Sequence, residues 1–326
     1  MKKILLTLSA AALVLASCAK IETVKVDENR AISFSSFTEY STKSVTELSG
    51  SLSASDIYVI GYYGATGESS LADGVFFNEL GSTPYYWVDR NDYIFAAYAN
   101  GEGGKIDNAT FTDNSTLTFA DYTPTDDNDL VVAISDKIID VDPSTQVPVS
   151  LTMKHMLAQV GFTFKTEVGD GYTLKIENIR IENAIQTATG TYKTDGVIAW
   201  VGTATGDLVA SYAYSNIADL VEVANKTNQE FKLVIPQSVE NTINTIKVKF
   251  TATINGVGIE EGGNNTKNFE VVLPAPADTE KQWKPGYRYN YTTTINGDNI
   301  SEDNKPILFT VTADGWSDYE GQDLVF

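Results

Sequence analysis

Apolar residues in this chain come in short runs separated by clusters of Gly, Asn, Asp, Ser and Thr, the punctuation expected of strands and turns. Such runs include IYVIGYY at 57–63, YIFAAYA at 93–99, LVVAI at 130–134, VGFTFK at 160–165, FKLVI at 231–235 and FEVVL at 269–273. Most alternate with period two, the signature of a half-buried strand. In INTIKVKFTATI, Ile246, Val248 and Phe250 share one face, with Lys247, Lys249 and Thr251 on the other. In YTLKIENIRIE, Tyr172, Leu174 and Ile176 point one way, and Ile179 and Ile181 join them only after a phase slip near Asn178, which predicts a bulge. Helical periodicity is nearly absent; Met153–Val160 allows one helical turn. The pattern predicts an all-β protein of two tandem antiparallel β-sandwich domains. The turn-poor segment around Pro143 and Pro148 suggests a boundary near residue 150, giving domains at 44–150 and 151–326.

The first residues break this pattern. Lys2 and Lys3 precede an uncharged, apolar run from Ile4 to Ala16, about the length of a secretory h-region and too short to span a bilayer. The run ends in LASC, whose Cys18 is the only cysteine in 326 residues. This arrangement resembles a bacterial lipoprotein box. It implies a signal peptide over 1–17, cleavage between Ser17 and Cys18, acylation of the Cys18 thiol, and an outer-membrane lipid anchor. One thiol leaves no disulfide framework, so stability rests on hydrophobic cores. The formal charge of −20 argues against nucleic acid and against docking on anionic lipid.

Candidate chemistry is sparse. A lone histidine, His155, makes no two-histidine metal site, and no G-x-S-x-G motif accompanies it, so the expectation is a structural residue. The acidic run Asp126, Asp127, Asn128, Asp129 lacks the glycine and glutamate of a calcium loop and reads as a solvated turn. Trp87, Trp200, Trp283 and Trp316 are either core residues or sugar-stacking platforms, and the core is the commoner fate. No catalytic residue, metal or cofactor is expected.

Several stretches, taken in order, resemble the fimbrillin family of Bacteroidetes surface proteins. They are the lipobox, AISFSSFTEYSTKS at 31–44, DIYVIGYY, YYWVDRNDYIFAAYA, DLVVAI, VSLTMKHMLAQVGFTFK, KQWKPGYRYNYTTTI and the closing ILFTVTADGWSDYEGQDLVF. The resemblance implies two transthyretin-like sandwiches. It also implies a lipoprotein precursor cut by a trypsin-like surface protease after its first strand, with polymerisation by donor-strand exchange, a form of β-augmentation.

Carried onto this sequence, the tether and removable strand occupy 18–43, with Ile32 and Phe34 on one face and Phe37 on the other. The cut falls between Lys43 and Ser44, in a polar stretch; Arg30 is the alternative basic residue, but a cut there spares the strand. Removing 43 residues takes away six basic and four acidic side chains, so −20 becomes −22. The donor strand lies in 306–326, carried by Ile307, Phe309, Val311, Trp316, Leu324 and Phe326. The implied product is a stalk subunit of an extracellular fimbria, partnered by copies of itself or related subunits, the maturation protease, and host or bacterial surface ligands. Alternatives are an anchor or tip subunit and a monomeric glycan-binding lipoprotein.

Overall fold

The computed structural model describes residues 31–38, 57–77, 85–126, 128–202, 212–221, 230–240, 245–256, 258, 265–301, 305–315 and 322–324. Among the described residues, apart from one short helix (Gly297–Ser301) and a single 3₁₀ turn, the regular elements are strands, numbered below in chain order.

The first sandwich is built on a seven-stranded sheet. Its strand order is β20 (Gln322–Leu324), β1 (Phe34–Thr38), β8 (Val149–His155), β7 (Leu130–Ile134), β4 (Asn91–Asn100), β2 (Ile57–Ala65) and β3 (Asp73–Phe77). Nine of the ten β4 residues are buried, because both faces of this sheet are covered. On one face lie Tyr93, Phe95, Ala97, Val131, Ala133, Leu151 and Met153, capped by Trp87 and Val141. On the other, Ile94, Ala96, Tyr98 and Val132 meet Phe111, Leu117 and Phe119 of a second sheet. That sheet runs β12 (Ile198–Val201), β11 (Ala188–Lys193), β6 (Thr116–Tyr122), β5 (Ala109–Thr112). Gly190 of β11 is required by its cross-strand partner: a Cβ there would sit 2.7 Å from the Trp200 ring.

The second sandwich packs two further sheets on one core. One runs β15 (Phe231–Val234), β9 (Ala158–Glu167), β18 (Tyr287–Asn296), β19 (Thr310–Gly315). The other runs β13 (Tyr212–Ala213), β10 (Tyr172–Glu182), β16 (Lys247–Gly256), β17 (Thr266–Val272), with β14 (Ile217–Leu220) beside β10. Phe162, Phe164, Phe250 and Phe309 meet there, with Phe164 edge-on to Phe250 at 5.1 Å between ring centroids. The bulge expected near Asn178 is present: Asn178 has φ +55°, and the β10–β16 register shifts between Glu177 and Arg180. Leu174, Ile176, Ile179 and Ile181 are buried; Tyr172, at the strand's open end, is not.

Three features depart from the sequence pattern. β8 and β9 follow each other with only two residues between, so Met153–Val160 forms no helical turn. Each sandwich also contains a parallel pair, β1 with β8 and β9 with β18, beside its antiparallel neighbours. Finally, the β11–β12 hairpin returns to the first sandwich by pairing β11 with β6, and Leu233 and Ile235 join the same core. Cutting the chain near residue 150 would separate β8 from β7 and β1, and β11 from β6.

Candidate functional site: the slot holding the first strand

The first strand is short but fully committed to its sheet. β1 pairs parallel with β8 in the register Phe34–Val149 through Thr38–Met153, and antiparallel with β20 as Phe34–Leu324, Ser35–Asp323 and Ser36–Gln322. Its approach is fixed by backbone bonds: the Ile32 N–H donates to the Tyr85 carbonyl at 2.9 Å, and the Val149 N–H donates to the Ser33 carbonyl at 2.9 Å.

The pattern Ile32-x-Phe34 sends both side chains into the core. Ile32 is 5% exposed and Phe34 is 0% exposed. The Phe34 ring stands edge-on to Phe95 at 5.1 Å, and Phe95 in turn meets Trp87 at 6.0 Å. Val149, Leu151 and Met153 complete the same buried layer. Beneath β1 there is thus an apolar trough along β8. Its floor is Phe95 and its open side is a row of β8 backbone donors and acceptors, which β1 now satisfies. Phe37 occupies a β1 position opposite Thr152; its side chain lies outside the described residues, as do Ser17, Cys18, Lys43, Ser44, Trp316 and Phe326.

The donor candidates divide. Ile307 and Phe309 are 4% and 7% exposed within the second sandwich's own core, where Phe309 meets Phe162 and Phe164, each at 5.9 Å. Val311 packs against the same core from β19. Their alternation thus belongs to the final strand of their own sandwich and the segment leading into it. Leu324 lies in β20, in register with Phe34. The structure therefore places Phe34, expected in the removable strand, and Leu324, expected in the donor, in register within one chain.

The edge of this core is held by polar groups that sequence reading missed. Asp92 is buried at the start of β4, accepts the Asp140 N–H at 2.9 Å, and pairs with Lys137 at 2.9 Å. Those bonds, the Asp140 amide first, hold its carboxyl down at about 2. The Tyr93 hydroxyl accepts the Val88 N–H at 2.8 Å, and burial pushes that phenol up to about 12. The second sandwich repeats the device: the Tyr289 hydroxyl accepts the Lys284 N–H at 2.8 Å, and burial raises it to about 12. In each case a buried Trp, 87 or 283, precedes the Tyr by the same spacing. The signal was in the sequence as W-x5-Y, written twice.

The other candidates serve packing. His155 is buried, its Nδ1 2.9 Å from Asp129 Oδ2. Asp126 is an exposed turn residue, as expected, and pairs with Lys232, whereas Asp129 is buried against His155. Trp87 and Trp283 are 3% and 0% exposed, so neither offers an open stacking face. Trp200 is half-buried and donates its Nε1–H to the Met156 carbonyl at 2.8 Å. It borders a cavity of about 520 Å³ shared with Asn183, Gln237 and Gln282. Among the described residues no three His, Cys, Asp or Glu side chains converge as a metal site would require.

A family model described as fimbrillin-like matches residues 24–316. No curated protein matches the chain. Among solved structures, a fimbrial protein of Bacteroides vulgatus superposes with a TM-score of 0.58 at 19% identity, covering 89% of this chain and 100% of the other. A proposed cell adhesion protein of Parabacteroides distasonis gives 0.53 at 14% identity, covering 88% and 97%. A fimbrilin of Porphyromonas gingivalis gives 0.47 at 12% identity, covering 88% and 98%. At such identities the first two speak for a shared fold.

Proposed function

The chain belongs to the fimbrillin-like family, and on that premise we propose that it is a fimbrial subunit whose first strand is a removable plug. The carrying observation is the burial of Ile32 and Phe34 in a trough along β8, in a strand preceding the first sandwich's remaining strands. Excising such a strand leaves an apolar slot and unpaired backbone groups, a surface that another strand repairs well and water repairs poorly. The proposed sequence starts with export as a lipoprotein acylated at Cys18 and display on the outer membrane. Cleavage between Lys43 and Ser44 by a trypsin-like protease follows, and then a neighbouring subunit's C-terminal strand fills the slot. The role proposed is that of a stalk subunit, acting in an extracellular fimbria without catalysis.

Because Ile307 and Phe309 are buried in their own sandwich, the segment proposed for exchange is the part of 306–326 beyond β19, with Leu324 in it. The glycan-binding alternative loses its main platform, since Trp87 is buried against Tyr93 and Phe95.

The test is limited trypsin digestion of the purified precursor, with product mass and oligomeric state recorded. One early cut after Lys43 followed by SDS-resistant multimers is expected. Scattered cutting, or a clean cut that leaves a lasting monomer, refutes the proposal.

A further inference from the structure

We infer that the outer edge of β1 is a strand-docking site in its own right, and that in the uncut chain its occupant is the chain's own C-terminal strand, β20. The coupling drawn from this below rests on the removable-plug reading; the docking itself does not.

The two sandwiches carry the argument. In the second, β9 is flanked by β15 running antiparallel and by β18 running parallel. In the first, β1 is flanked by β20 running antiparallel and by β8 running parallel. The arrangement is the same, but the strands come from different places. β15 belongs to the chain segment of its own sandwich; the first sandwich fills the matching position with residues 322–324, which follow β19 of the second. Without β20, β1 would present an unpaired row of N–H and C=O groups directly above the fully buried Phe34. The seat is thus a position the fold leaves open, and the chain's far end covers it.

The pairing is also the weaker of the two that β1 makes. Three register partners join β1 to β20, against five to β8. Short edge pairings open at low free energy, so β20 is the partner that leaves first.

The consequence is a coupling between the two ends of the subunit. While β1 is in place, β20 is held within its own chain and is withheld from a second copy. When β1 leaves, β20 loses the one strand with which it pairs among the described residues. A single cut then opens the slot along β8 and frees the donor strand.

A disulfide reads the docking directly. Ser35 and Asp323 are register partners, and paired Cα atoms in an antiparallel ladder lie about 4.5–5.5 Å apart, inside the span a disulfide bridges. Ser35→Cys with Asp323→Cys, in a Cys18→Ser chain, is expected to oxidise to a crosslinked monomer. After trypsin, the released β1 peptide should remain attached to the tail, and multimers should appear only when a reductant is added. Free thiols after oxidation, crosslinks between chains, or a locked protein that multimerises as fast as the unlocked one overturn the proposal. Amide exchange on otherwise native sequence gives a second reading. Deleting residues 322–326 should speed exchange at Phe34–Ser36 at least tenfold and leave β9 unchanged; equal exchange overturns it. The crosslink needs no cleavage. A cis crosslink in a protein that still fails to multimerise after a clean cut and full reduction sinks the plug reading and leaves the docking standing.

Discussion

Phe34→Ala tests the plug most directly. The ring is 0% exposed, stands edge-on to Phe95 at 5.1 Å, and shares a layer with Leu151 and Met153. Truncating a buried Phe to Ala typically costs about 3–5 kcal/mol, of which the ring pair accounts for about 0.5–1.5. Because β1 lies one strand from the sheet edge, the site can partly collapse, and the lower end, about 3 kcal/mol, is expected. If the loss falls on β1's local opening, the opened population rises about 100-fold, since 1.4 kcal/mol is a factor of ten. Amide exchange along β1, compared with β9, reads that opening, and urea unfolding reads the global change. Faster exchange confined to β1, with faster multimer growth after cleavage, is expected. A global loss under about 1 kcal/mol with unchanged β1 exchange would show that Phe34 is not packed as described. A loss that accelerates β1 and β9 alike would show that β1 does not leave separately, and the plug reasoning would fail.

Other consequences concern the groups that frame the two cores. Asp92's carboxyl is held at about 2, below its usual value near 3.8, so its stabilisation is complete above about pH 4 and lost as pH falls through 2. Asp92→Asn should cost about 2 kcal/mol at pH 7 and flatten that part of the acid-unfolding curve; an unchanged curve refutes the assignment. Tyr93→Phe and Tyr289→Phe each remove the acceptor for one backbone N–H, at Val88 and Lys284. Each should cost about 1 kcal/mol in urea unfolding, and the two should add, since they lie in different cores. His155→Ala withdraws the imidazole from buried Asp129. It should cost about 1–3 kcal/mol in the same assay, and a neutral result would show that the pair is not formed.

What the sequence disclosed and what it hid follow from one distinction: a periodic pattern reports which face of a strand is buried, and it does not report against which strand. Ile246, Val248 and Phe250 alternate with lysines and threonine, so their strand and its inward face were legible, as was the slip at Asn178, where the left-handed residue adds a bulge. Partners were another matter. β1 pairs with a strand more than a hundred residues away, β11 reaches back to β6, and both pairings are invisible to a window a dozen residues wide. The donor candidates show the limit most sharply. Ile307, Phe309 and Val311 alternate as a docking strand should, yet two of them are buried in their own sandwich and the third packs against it. A strand completing its own core and one completing a neighbour's carry the same pattern, because the apolar slot is chemically the same. The two are told apart by what remains once the home core is full. Here that core closes with β19, and Leu324 then appears opposite Phe34 instead of in the second sandwich. The residues that best qualify as a movable strand are therefore those whose only described seat is on another strand proposed to leave.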